Sequence, residues 1–117
     1  MSGLSTLREV NIKYDLPSAS DAIKRITFQI YDGKRYGLKV IKLIHGYGST
    51  GKGGKIRVAA HRYLDVQKAR RVIDDWFPGD VFTIFNEDVL KAFRVCDDLR
   101  YDTDLERHNN GVTFVLL

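Results

Sequence analysis

Residues 45–55 carry five glycines and two lysines between a run that reads as a buried strand and one that reads as a helix. The order is Val40-Ile41-Lys42-Leu43-Ile44, then His45-Gly46-Tyr47-Gly48-Ser49-Thr50-Gly51-Lys52-Gly53-Gly54-Lys55, then an amphipathic stretch. A strand leading through glycines into a helix demands an α/β architecture, because the helix must return over the sheet that holds the strand. It also sets up anion binding. Glycine backbone can approach a ligand closely, the helix start offers unpaired N–H groups and a positive dipole end, and Lys52 and Lys55 add full charges.

The flanking sequence fills in a β-α-β-α-β-α-β order. Val10, Ile12 and Tyr14 alternate with Asn11 and Lys13, which predicts a half-buried strand over 9–14. Ser18 followed by Asp21 marks a helix start, with Ala19, Ala22, Ile23, Ile26 and Ile30 at helical spacing and an end within 33–37. The second helix spans about 54–70, with Ile56, Ala59, Ala60, Tyr63 and Leu64 inward and Arg57, Arg62, Lys68 and Arg70 outward. Residues 72–77 read as a third strand before Pro78-Gly79, with a helix continuing to Asp75 as the alternative. Asn86 caps a third helix on Val89, Leu90 and Phe93; 100–111 is polar and turn-rich; 112–117 is a buried strand. The expectation is a two-layer or sandwiched α/β fold with a four-stranded mixed sheet. Its 117 residues suit one domain, with a loose start over 1–6 and an extended segment over 78–110.

Charge is concentrated around the loop. The window 34–71 holds eleven basic residues against the single acid Asp65, a net +10, whereas the rest of the chain carries −6. Such a surface favours polyanions, unless the charges merely solvate a helix face. One cysteine, Cys96, precludes an intrachain disulfide and reads as a buried thiol without a neighbouring base. With neither a signal peptide nor a run of membrane-spanning length, the expected location is the cytoplasm, with no membrane partner.

Two nucleotide fingerprints overlap the loop and fail. Gly46-x-Gly48-x-x-Gly51 has dinucleotide spacing but lacks the later acidic strand end for a ribose. Gly46-x₄-Gly51-Lys52 lacks the Ser or Thr that holds Mg²⁺, since Gly53 stands there. Asp102-Thr103-Asp104-Leu105-Glu106 hints at a calcium loop, but Arg107 replaces the required glycine, so it reads as a solvated turn. No cofactor or metal is expected.

A third pattern fits better. The His45-Gly46-Tyr47-Gly48 loop after a buried strand, the basic helix, and Asn110-Gly111-Val112-Thr113-Phe114-Val115-Leu116 together resemble the small MutS-related (Smr) domain over 10–117. The resemblance implies two helices against a four-stranded sheet, as in the C-terminal domain of a translation initiation factor. It also implies binding of DNA or RNA, which several members nick or cleave. Where that family usually has Leu-Asp-x-His, this sequence has Val10-Asn11-Ile12-Lys13. Asn11 cannot act as a general base, and a lysine does not readily titrate near neutral pH.

Binding therefore carries over before catalysis. His45, Gly46, Tyr47, Gly48, Lys52, Lys55, Arg57, Arg62, Lys68 and Lys13 are the expected nucleic-acid-binding residues, and His45 is the candidate catalytic one. For His45 the alternative is a ring that caps backbone groups and fixes the loop; for Tyr47, base stacking stands against anchoring. His61 reads as a solvated helix position and His108 as a loop residue without a partner. The competing functions are a nuclease working through His45 and a protein-interaction module that keeps the fold alone.

Overall fold

The computed structural model describes residues 5–46 and 54–117. Four strands, β1 (Leu7–Asn11), β2 (Val40–Ile44), β3 (Asp75–Pro78) and β4 (Val112–Leu116), form one sheet in the order β1-β2-β4-β3. β1 and β2 run parallel, with α1 (Ala19–Arg35) between them in sequence. β4 is antiparallel to both β2 and β3, so the sheet is mixed. α2 (Lys55–Ala69) follows the glycine loop, and α3 (Glu87–Val95) lies between two short 3-10 turns, Gly79–Val81 and Asp97–Tyr101. Among the described residues, no helix is long and apolar enough to cross a membrane.

Alternation along β2 explains why both sheet faces are covered. Ile41 and Leu43 point to one side, where Val115 joins Ile26 and Ile30 of α1 and Ala60 and Leu64 of α2 in one core. Val40 points to the other side, where Val112 and Phe114 meet Phe77, Phe82, Val89, Phe93 and Leu99. The segment 78–110 is therefore the third layer of a sandwich. A strand covered on both faces reads as a continuous apolar run, as β2 and β4 do.

Local chemistry sets the ends of the elements. The Ser18 hydroxyl accepts the Asp21 N–H at 3.1 Å, and the Asn86 side-chain oxygen accepts from Asp88 and Val89 at 2.8 and 3.2 Å. Arg8 on β1 donates to Gln29 and pairs with Asp32, tying α1 to the sheet edge. Gly79 lies so close to the backbone that a Cβ there would stand 2.0 Å from the Asn109 carbonyl oxygen.

The structure corrects several expectations. β1 starts at Leu7 and ends at Asn11, leaving Tyr14 in the following turn and half exposed. α2 stops at Ala69 and β3 begins only at Asp75, so Val72 and Ile73 belong to the turn between them, with Ile73 buried in the first core. In α3 the buried positions are Val89, Ala92 and Phe93, and Leu90 is only partly covered, 39 % exposed. The 102–106 turn is not simply solvated. Asp102 and Asp104 reach across to Lys42, a lysine only 2 % exposed in the middle of β2, at 2.8 and 2.6 Å, with Glu9 at 3.4 Å.

Candidate functional site

β1 and β2 end side by side at one edge of the sheet, and the glycine loop departs from that edge. The His45 and Gly46 N–H groups both donate to the Gly111 carbonyl, at 3.0 and 2.9 Å, which pins the start of the loop to the residue before β4. Gly46 has a φ of +72°, and a Cβ there would approach Lys13 Cδ to 3.1 Å. The Lys13 side chain therefore lies across the loop start. Tyr47, Gly48 and Lys52 lie outside the described residues. The chain resumes at Gly54, whose φ of +68° turns it into α2. Among the described residues no side chain caps α2, and its first turn holds no acid, which leaves the positive end of its dipole without a negative side chain from that turn.

His45, at the end of β2, belongs to a buried polar chain. His45 is 3 % exposed. Its Nδ1 contacts the Gly46 carbonyl at 3.0 Å and its Nε2 the Thr113 hydroxyl at 2.7 Å; His61 Nε2 reaches the same hydroxyl at 2.9 Å. The acceptor-only carbonyl fixes the tautomers in order. His45 Nδ1–H donates to Gly46, Thr113 O–H donates to His45 Nε2, and His61 Nε2–H donates to Thr113. Burial holds both imidazoles below their ordinary pKa, and the nearby Arg57 guanidinium adds to this; for His61 the result is about 4. Both rings are neutral at physiological pH, as the chain of donors requires.

His61 is thus not a solvated helix position. Its ring packs against Trp76 with centroids 4.5 Å apart and the planes tilted by 33°, and meets the His45 ring edge-on at 5.8 Å, and Trp76 Nε1–H donates to Asp65 at 2.9 Å. Arg57 is not outward either; it is half-buried and pairs with Asp80 at 3.5 Å. His108 does have a partner, donating from Nδ1 to the Asp80 carbonyl at 3.0 Å. The thiol of Cys96 is buried beside the Thr6 hydroxyl, and burial pushes its pKa up. Sequence signals for His61 were weak, because its partner Thr113 is brought close only by the pairing of β4 with β2.

The expected binding residues divide into two groups. Lys13 lies against Gly46, Lys55 opens α2, and Arg62 follows Lys55 by seven positions, about two helical turns along the same face. Lys68 lies on the flank facing β3 and pairs with Asp75 at 2.9 Å.

No family model matches the chain, and no curated protein matches it in sequence. Among solved structures, it is similar to the Smr domain of MutS2 from Thermus thermophilus, with a TM-score of 0.56 and 17% identity over 94% of this chain and 96% of that one. The fold is Smr-like. In this Smr-like frame, Val10-Asn11-Ile12-Lys13 sits where β1 runs out toward the loop. Ile12 is buried, the Asn11 side-chain oxygen accepts the Lys13 N–H at 2.9 Å, and Lys13 crosses Gly46.

Proposed function

We propose that this Smr-like fold binds DNA or RNA through backbone phosphates, gripping them with the glycine loop and the start of α2. The observation that carries this reading is the N-terminus of α2, without an acid in its first turn or a side-chain cap among the described residues, which follows the glycine-rich segment and begins with Lys55, while Lys13 lies against Gly46 at that segment's start. Loop N–H groups, Lys52 and Lys55 hold phosphate in this reading, and Arg62 extends the track. His45, with both ring nitrogens engaged by Gly46 and Thr113, holds the start of the glycine segment in place. Cleavage finds little support among the described residues. Asn11 is an amide, and neither His45 nitrogen is available to take a proton from water.

Phosphate contacts confer affinity with little sequence preference. Three or four such contacts on a single strand predict a loss of about 20- to 50-fold in affinity between 50 and 200 mM salt. Titration of single- and double-stranded DNA and RNA at these two salt concentrations checks this, with the Lys52→Ala, Lys55→Ala double variant as control. Binding that ignores salt, or that survives the double variant unchanged, sinks the reading.

A further inference from the structure

A recess lies beside the end of β1. It is a cleft of about 350 Å³ between the end of β1 and α1, lined by Asn11, Tyr14, Lys24, Arg25, Phe28 and Gln29 among others. That size is at the small end for ligand sites and suits one flat ring. Its aromatic walls are left in solvent, Tyr14 being 54 % exposed and Phe28 62 %. Arg25 is fixed over the Tyr14 ring at 3.6 Å, with its guanidinium donating to the carbonyls of Ile12 and Tyr14 at 3.2 and 2.6 Å. The wall is therefore held in shape and positively charged.

The polar lining has one sign. The Asn11 oxygen is occupied by the Lys13 N–H, and the Gln29 oxygen by the Arg8 guanidinium at 3.0 Å. These donors fix both amide orientations and leave the two NH₂ groups without a partner among the described residues. The Lys24 ammonium has no ion-pair partner among the described residues. No carboxylate is among the lining residues. Two amide NH₂ groups, an ammonium and exposed aromatic faces call for a flat, acceptor-rich ring attached to negative charge.

We infer that this cleft holds an unpaired nucleobase of a single strand, with preference for bases that present ring carbonyls, such as thymine or uracil. Tyr14 and Phe28 supply stacking faces, as in sequence-tolerant single-strand binders. Asn11 and Gln29 donate to the carbonyls, and Lys24 meets the adjoining phosphate. Adenine presents an amino donor where thymine has an acceptor, which leaves an amide NH₂ facing another donor. Lys13, which lies in sequence between the lining residues Asn11 and Tyr14 and reaches Gly46, joins the base site to the phosphate grip. The inference rests on the nucleic-acid reading above and adds to it a strandedness and a base preference.

The test is a titration of wild type, Phe28→Ala, Gln29→Met and Lys55→Ala with short oligo(dT), oligo(dA) and a mixed-sequence duplex at low salt. Phe28 is exposed, so its truncation leaves the core intact. Wild type is expected to favour oligo(dT). Phe28→Ala is expected to lower affinity for both single strands at least about fivefold while leaving the duplex unchanged. Gln29→Met is expected to shrink the ratio of oligo(dT) to oligo(dA) affinity, and Lys55→Ala to weaken all three. If Phe28→Ala and Gln29→Met leave single-strand affinity and the base ratio unchanged while Lys55→Ala weakens binding, the cleft assignment fails and the phosphate grip stands. If wild type binds none of the three, both fail together.

Discussion

Thr113 is the residue on which the buried polar chain turns, since its one hydroxyl serves both histidines. The chain exists only while both imidazoles are neutral, and this links stability to pH. His61 has a folded pKa of about 4 against an ordinary 6.5, and His45 is lowered in the same direction. A group whose folded pKa is depressed contributes stability that is full above its unfolded value and is lost as pH falls toward the folded one. Stability is therefore expected to decline from about pH 6.5 to about pH 4. Asp104 and Glu106 are also held below their ordinary values and contribute their loss lower, below the ordinary carboxylate range. Urea unfolding across that interval, for wild type and His61→Gln, checks the assignment. The variant should show the shallower slope; equal slopes would falsify it. The sequence shows His45 clearly because it sits beside a glycine loop. His61 was legible only as one more polar position on a basic helix.

At the scale of elements, the central strand carries the most demanding residue. Lys42 points into the 78–110 layer, where desolvation opposes its charge, but hydrogen bonds and attraction from Asp102 and Asp104 outweigh that and raise its pKa. A lysine in the middle of an otherwise apolar strand thus clamps the 97–109 turns to the sheet. Lys42→Met should cost about 3–5 kcal/mol, because it leaves two carboxylates poorly solvated and unpaired. Adding Asp102→Asn and Asp104→Asn should restore part of the loss. Denaturant titration of the single and triple variants measures both, and a single variant as stable as wild type would refute the clamp. The helix caps at Ser18 and Asn86, the span of β2 and the element order were legible in sequence, because each depends on neighbours within a few residues. The Lys42 cluster was not, since it joins positions about sixty residues apart that only the folded sheet brings together. The start of β3 was missed for the related reason that Val72 and Ile73 are apolar through packing against the first core, without any ladder.

For the whole molecule, the fold redistributes charge that the sequence seemed to place on one surface. Lys42, Arg57 and Lys68 all count toward the basic window, yet each is matched by a carboxylate from beyond it: Asp102 and Asp104, Asp80, and Asp75. Lys55 and Arg62 of that window, both exposed on α2, are outside these pairs, and with Lys13 they form the proposed track. Charge reversal tests this shape. Arg62→Glu should weaken nucleic-acid binding by about tenfold at low salt, whereas Lys68→Glu should change it by less than about twofold. Equal losses would mean that the field is diffuse and the track misplaced.

The strand order has a consequence for how the chain is made. β3 touches β2 nowhere; β4 lies between them and is the last of the four in sequence. As the polypeptide leaves the ribosome, β1, α1, β2 and α2 can assemble early, but β3 has no strand to pair with and β2 keeps a bare edge until 112–116 emerge. Closure of the sheet is thus a long-range event that follows the other three strands, and the nascent chain depends on β4 to seal the edge at which unfinished copies could otherwise join.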